Sequence, residues 1–339
     1  MTPSTCLKVS LWLSLCAAAV TAHGQGSSSP VIGYYKFNVP PGRSIWVCGL
    51  VTKTDFQGLA TSVSSSPTTS TITTSGANWP GFSNHYVEIL DGSWAGLALD
   101  ILSSTATTVT VDGNLGSGAG GFNVPQNVKF AIRAHATLGK IFKGSNGGLS
   151  PFEDEINLFY DNGSTKRFYY DDSVAGGQIL DAVTFANKDN ERVYPGQGML
   201  FVTSGPRTLT FGGGEVSYVK QTPTKVPLYG GRANLVGPIN PIVATSPLVS
   251  TTANERAPLG SASFGLTTSG LSEFEDEISP YGLVGGVFSR QGIFYYDGFN
   301  SIVDLNGSPT SLNVPFGTGL VIKPAGDRYY TQPGVAVSN

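Results

Sequence analysis

Of the 339 residues only 13 % are charged, and 20 Lys and Arg stand against 23 Asp and Glu, a formal net charge of −3 at pH 7. With no basic run in the sequence, that balance argues against a nucleic-acid partner. The 44 Gly and 21 Pro favour short strands joined by turns over long helices.

In chain order, the first feature reads as an export signal. Lys8 precedes an apolar run from Val9 to Val20, and Val20-Thr21-Ala22 has the small-x-small pattern of a cleavage site. The expected cut follows Ala22, or alternatively Gly24. The run is about 12 residues, whereas a spanning helix needs about 20, and no later segment is long or apolar enough to span as a helix. Cleavage would remove Cys6 and Cys16 and leave Cys48 alone, so no intramolecular disulfide is expected and stability must come from core burial. Cys16 follows Leu15, which argues against a lipoprotein.

A lead-in from Gly26 to Pro30 is followed by a first strand over Val31 to Phe37. Thr61 to Gly76 is rich in Ser and Thr, as an exposed strand or loop would be. Tyr86-Val87-Glu88-Ile89 and Thr108-Val109-Thr110-Val111 alternate at period two, with Asp91-Gly92 and Asp112-Gly113 marking turns, which predicts an antiparallel β module. The stretch from Asn84 to Asp112, with Gly92 and Ala95-Gly96, resembles a small β module of phage tail and secreted bacterial proteins.

Helix is scarce: Leu138, Ile141 and Phe142 predict about two turns over Thr137 to Lys143, and Leu259 to Phe264 is a weaker second copy. Strands are expected at Ile156 to Tyr160 and Lys166 to Tyr170, joined at Asn162-Gly163 by a type I′ turn. A further pair is expected at Tyr194 to Thr203 and Arg207 to Phe211.

One string occurs twice. Gly148 to Ile156 reads GLSPFEDEI and Gly270 to Ile278 reads GLSEFEDEI, eight identities in nine. Phe168-Tyr169-Tyr170-Asp171 answers Phe294-Tyr295-Tyr296-Asp297, and Pro195 to Leu200 answers Pro315 to Leu320. The chain therefore reads as all-β: two related antiparallel units, sandwich or barrel-like, over 23–225 and 226–339 after a signal over 1–22. The Pro-rich segment Thr222 to Pro227 is the boundary, and a β module at about 50–134, without counterpart in the second unit, is inserted in the first.

The repeated acidic run carries most of the chemistry. Glu153, Asp154 and Glu155, with Glu275, Asp276 and Glu277, offer oxygen ligands to Ca²⁺, which takes six to eight. Two structural readings compete. Ser150 with Glu153, and Ser272 with Glu275, match a helix capping box, whereas in an extended segment Asp154 points inward and needs a hydrogen-bonding partner. Tyr169, Tyr170, Tyr295 and Tyr296 are candidates for a sugar-stacking platform, because a tyrosine offers an apolar face and a polar tip; core packing is the competing role. No Gly-x-Ser-x-Gly elbow or His-x-x-x-His pair is present and no catalytic residue is assigned, although two carboxylates would suffice for glycoside hydrolysis.

The order Val31-Ile32-Gly33, Phe56-Gln57-Gly58, Tyr86 to Ile89, Asp154-Glu155-Ile156, Phe168-Tyr169-Tyr170, Tyr194 to Gly198 and Pro315 to Val321 resembles a family of secreted, multi-copy proteins of uncharacterised function from verrucomicrobial bacteria. The resemblance implies export from a bacterium with an outer membrane and brings no activity. The expected role is an envelope or extracellular structural or binding protein, contacting polysaccharide or another surface component. A secreted glycan-active enzyme is the runner-up and an outer-membrane β-barrel the third reading; oligomeric state is not legible.

Overall fold

The computed structural model describes residues 34–39, 41–47, 51–142, 146–212, 222–236, 256–258, 271–284, 287–299, 302–310, 313–315 and 320–332. The segment expected to direct export, Val31 to Gly33, Cys48 and Leu259 to Phe264 lie outside them. Among the described residues the fold is all-β, with helix confined to Leu138–Phe142 and the short turn Asn146–Gly148. No helix among the described residues is long and apolar enough to cross a membrane.

The duplicated string sits at the centre of two sheets with the same strand order. In the first, Glu155–Phe159 lies between Thr165–Asp171 and Gly198–Thr203, with Gln178–Asp181 and Gly42–Val47 at the edges. In the second, Glu277–Val284 lies between Phe294–Tyr296 and Leu320–Lys323, flanked by Ile302–Asp304 and Asn234–Val236. Register matches as well as order: Ile156 faces Phe168 and Phe201, and Ile278 faces Phe294 and Ile322. Two satellite pairs repeat too. Tyr34–Val39 with Arg207–Gly212 corresponds to Thr224–Leu228 with Arg328–Gln332, and Ala136–Thr137 with Arg192–Val193 corresponds to Arg256–Pro258 with Asn313–Pro315. The register places Met199 level with Leu320, so the second copy holds one more residue after its proline than the sequence match implied.

Period-two burial explains the cores. Ile156, Leu158, Phe168, Tyr170, Ile179, Met199 and Phe201 meet under the first sheet, and the helix Leu138–Phe142 closes it with Leu138, Ile141 and Phe142. Ile278, Ile302, Leu320, Ile322 and Tyr330 form the second core. Each such side chain contributes roughly 1.5–3 kcal/mol by leaving water.

Residues 54–134 build a seven-stranded antiparallel sheet around a third core that includes Ile72, Val87, Ile89, Val109, Val111 and Phe130. The Ser/Thr-rich stretch forms the strands Ser62–Ser65 and Thr69–Thr73, the latter burying Ser70 and Ile72. Tyr86 to Ile89 do not alternate in exposure; all four are buried. Val87 and Ile89 face the sheet's own core, while Tyr86 packs its ring 5.1 Å from His135 and Glu88 pairs with Arg133 at 2.7 Å. Both faces of this strand are covered, which erases the polar stripe.

Two local expectations are corrected. Gly163 has φ 78°, and Asn162 is not among the residues with positive φ. Gly163 N donates to Tyr160 O and Tyr160 N to Ser164 O. The hairpin therefore closes through a longer loop with a single left-handed glycine, not a type I′ turn, which needs two. The capping-box serine also reaches its glutamate, Ser150 Oγ to Glu153 Oε2 at 2.8 Å. No helix follows, because Phe152 takes φ 56° and turns the chain into the central strand; Phe274 does the same at 51°.

Candidate functional site

In the repeated acidic run the central aspartate is structural in both copies. Asp154 is fully buried and accepts hydrogen bonds from Ser150 N at 2.7 Å, Ser204 N at 2.9 Å and Arg207 Nε at 2.7 Å. Asp276, equally buried, accepts from Ser272 N at 2.7 Å and Ala325 N at 3.1 Å and pairs with Arg328 at 3.0 Å. Each carboxylate thus clamps its own turn to the loop that leads into the last strand of the unit. That is how a buried charge becomes tolerable: it is paired and its lone pairs are filled.

The flanking carboxylates diverge from it. Glu153 accepts from Ser150 Oγ, Ser204 Oγ and Arg207, whereas Glu155 turns to Tyr169 Oη at 3.1 Å and Arg167 at 3.4 Å. In the second copy Glu277 meets Arg290 and Ser279, and Glu275 is exposed. Among the described residues no three His, Cys, Asp or Glu side chains converge as metal ligands, and the inner aspartates already spend their oxygens on N–H donors.

The paired tyrosines also divide by face. Tyr170 is buried in the first core, and Tyr169 is half-buried with its hydroxyl on Glu155; burial, then that hydrogen bond and charge, raises its pKa. Tyr295 and Tyr296 are both half-buried, and Tyr296 packs against the second core.

A different place gathers more chemistry. Where the inserted sheet meets both units lies a cleft of about 630 Å³, lined from the insertion by Asp100, from the first unit by Tyr160, Glu191, Arg192 and Tyr194, and from the second by Lys225, Tyr229 and Tyr329. None of Tyr169, Tyr170, Tyr295 and Tyr296 lines it. Its volume is within the range of small-molecule sites, about 300–1,000 Å³.

The walls are fixed by close contacts between the three parts. The carbonyl of Gly96 in the insertion accepts a hydrogen bond from Lys225 N at 3.0 Å, and the φ of +90° and close backbone at Gly96 leave no room for a side chain: a Cβ would lie 2.3 Å from Pro223 O. Trp94 and Phe122 of the insertion stack edge to face on Tyr329 of the second unit at 5.5 and 5.9 Å. Asp100 joins the insertion to the first unit: its Oδ2 accepts from Arg192 Nη1 and from Tyr194 Oη at 3.0 Å, and its Oδ1 lies 3.1 Å from Nε2 of the buried His135. Burial pushes the Asp100 carboxyl up, but the hydrogen bond and charge of His135, the Tyr194 hydroxyl and the Arg192 guanidinium outweigh it and hold the group below its ordinary value.

The tyrosines are donors. Burial, first, and then nearby carboxylates raise Tyr160 and Tyr229, the latter to about 12. Burial is also the first cause at Tyr194 and Tyr329, both raised. Tyr160 Oη spends its proton on Glu191 Oε1 at 2.5 Å, under the Lys166 ammonium 4.6 Å from the ring. Lys225 lies 5.2 Å over Trp94, and burial lowers its pKa. The cleft thus presents flat apolar rings edged by hydroxyl, carboxylate, amide and ammonium groups, the set that holds a sugar's C–H face and its hydroxyls.

Sequence reasoning missed this site because its residues come from stretches some 230 positions apart. One signal was available: Tyr194 to Gly198 stood in the motif order yet had no role. Comparison of the chain with family models, with curated proteins and with solved structures finds no match.

Proposed function

We propose that the chain is an exported envelope or extracellular protein that binds polysaccharide, and that the junction cleft is its binding groove. The observation that carries this reading is the convergence of Tyr160, Tyr194, Tyr229 and Tyr329 with Asp100, Glu191 and Arg192 in one cleft of about 630 Å³. Among the described residues the strands fall into seven separate sheets, which favours a surface binder over a single continuous barrel.

The glycan-active enzyme remains the second reading, because the carboxylates Asp100, Asp112, Asp161 and Glu191 line the cleft. Asp100 is a poor general acid: that role needs a raised pKa, and Asp100 is held low. The binding reading is tested by affinity electrophoresis and calorimetry against a panel of neutral and charged polysaccharides. The Tyr194→Ala, Tyr229→Ala double variant is expected to lose at least tenfold in affinity, on the order of 1.4 kcal/mol, with its β circular-dichroism spectrum and cooperative melting kept. The Tyr169→Ala, Tyr295→Ala variant is expected to bind as the unaltered protein does. The reverse pattern would move the contact surface to the sheet faces, and polysaccharide turnover abolished by Glu191→Gln would replace the binder by the enzyme.

A further inference from the structure

A second pocket, likewise of about 630 Å³, is lined by the inserted sheet and by Lys140 of the helix Leu138–Phe142 and shares no lining residue with the junction cleft. Its apolar wall is a run of aromatic rings: Phe56 meets Trp79 edge to face at 5.1 Å, and Trp79 meets Phe82 at 5.8 Å. Phe56 and Phe82 are half-buried and keep part of their surface open, while Trp79 is nearly covered. Trp79 Nε1 is buried without an acceptor among the described residues, an unused donor in that wall of the kind native structures seldom leave.

The polar lining is unusual for an acidic chain. Among the described residues Lys53, Lys140 and Asn78 line the pocket, and the acidic residue there, Asp55, lies 3.3 Å from His85 Nε2. The junction cleft has the opposite balance, with Asp100, Asp112, Asp161 and Glu191 against Arg192 and Lys225. A ring with an apolar face and a single negative charge matches this pocket: the face lies on the aromatic wall and the charge takes the lysines. Lysine ammonium groups act as point charges and take a single carboxylate.

From this complementarity we propose that this pocket, between the inserted sheet and the helix Leu138–Phe142, is a second site, for a hexuronate unit of an acidic polysaccharide. It extends the polysaccharide reading to a second point of contact with a different charge preference. Two sites on one rigid chain would also raise avidity for a polymer containing both neutral and acidic sugars.

The test is calorimetric titration of the full chain with oligogalacturonate and, separately, with a neutral cello-oligosaccharide of equal length, at low and moderate salt. The Lys53→Ala, Lys140→Ala variant is expected to lose at least tenfold in affinity for oligogalacturonate and most of its salt dependence. Phe82→Ala should lose affinity with the salt dependence kept, and Tyr194→Ala should leave oligogalacturonate binding in place. Chemical-shift changes at Lys140 in the unaltered protein keep the test valid if the double variant misfolds. Oligogalacturonate binding lost in Tyr194→Ala and kept in the lysine variant would overturn the second site. Neutral binding without acidic binding would overturn it and leave the polysaccharide reading standing, whereas tighter binding of a nucleoside triphosphate would replace the hexuronate by a nucleotide. No binding of any glycan would remove both.

Discussion

The two repeats share an interior and differ at their margins. Both keep an isoleucine between two large apolar partners at the sheet centre, and both keep a buried aspartate on an arginine that opens the last strand, Asp154 with Arg207 and Asp276 with Arg328. Around this shared interior the second copy has drifted. Its central strand runs on into an extra hairpin, Tyr281 pairing with Arg290 and Val284 with Val287. Phe294 is only half-buried where Phe168 is fully buried. The first copy instead holds the inserted sheet through Arg192, and at the corresponding backbone position the second has Asn313. A duplicated fold thus keeps the contacts that close its core, while strand ends are free to take on a neighbour.

The largest effect should come from the clamp. Asp154→Ala and Asp276→Ala each leave an arginine and two backbone N–H groups without their acceptor, so each is expected to cost about 3–5 kcal/mol in urea unfolding. Equal losses would make the clamp the common foundation of both units. A loss below about 1 kcal/mol in Asp276→Ala alone would break the equivalence.

A smaller effect separates the first repeat from the second. The folded pKa of Asp100 lies below its ordinary 3.8, so its contacts stabilise the protein fully above the unfolded value and lose that contribution as the pH falls through the folded one. Tryptophan fluorescence should therefore report loosening of the junction, through Trp94, as the pH falls below about 3.8. Asp100→Asn should flatten that part of the profile. An unchanged profile in the variant would detach Asp100 from the acid response.

The smallest effect concerns Ca²⁺. With Asp154 and Asp276 occupied by N–H donors, exchanging Ca²⁺ for a chelator is expected to move the melting temperature by less than about 1 °C, since an ion stabilises only the state it binds. A rise of several degrees in Ca²⁺, lost in Glu153→Gln or Glu275→Gln, would return the acidic run to metal binding and single out the copy that does it.

How much of this was legible depended on distance along the chain. The duplication was readable because GLSPFEDEI and GLSEFEDEI also hold the clamp, and a buried aspartate tolerates little change around it. The Asn-Gly hairpin was readable as a turn, but its class was not, since that is set by which residue goes left-handed. The Ser-x-x-Glu pair formed as its spacing suggests, yet the left-handed Phe152 made it close a turn in place of starting a helix. Asp100, Glu191 and Tyr229 carried no local mark, because only the packing of the insertion against both units brings them to one cleft.

The base of the insertion has a further consequence. Strand Thr54–Leu59 pairs with Lys129–Ala134, and Thr52 Oγ1 donates to Ala134 O at 2.5 Å, so the chain leaves the first unit and returns to it through adjacent strands. For the host, the roughly 80 residues between are equivalent to one short closed loop, because a folded guest with touching ends removes most of the entropy that so long a flexible excursion would cost. This makes the position a socket: any domain whose ends lie one strand spacing apart, about 5 Å, can be seated there without asking the duplicated sheets to change register.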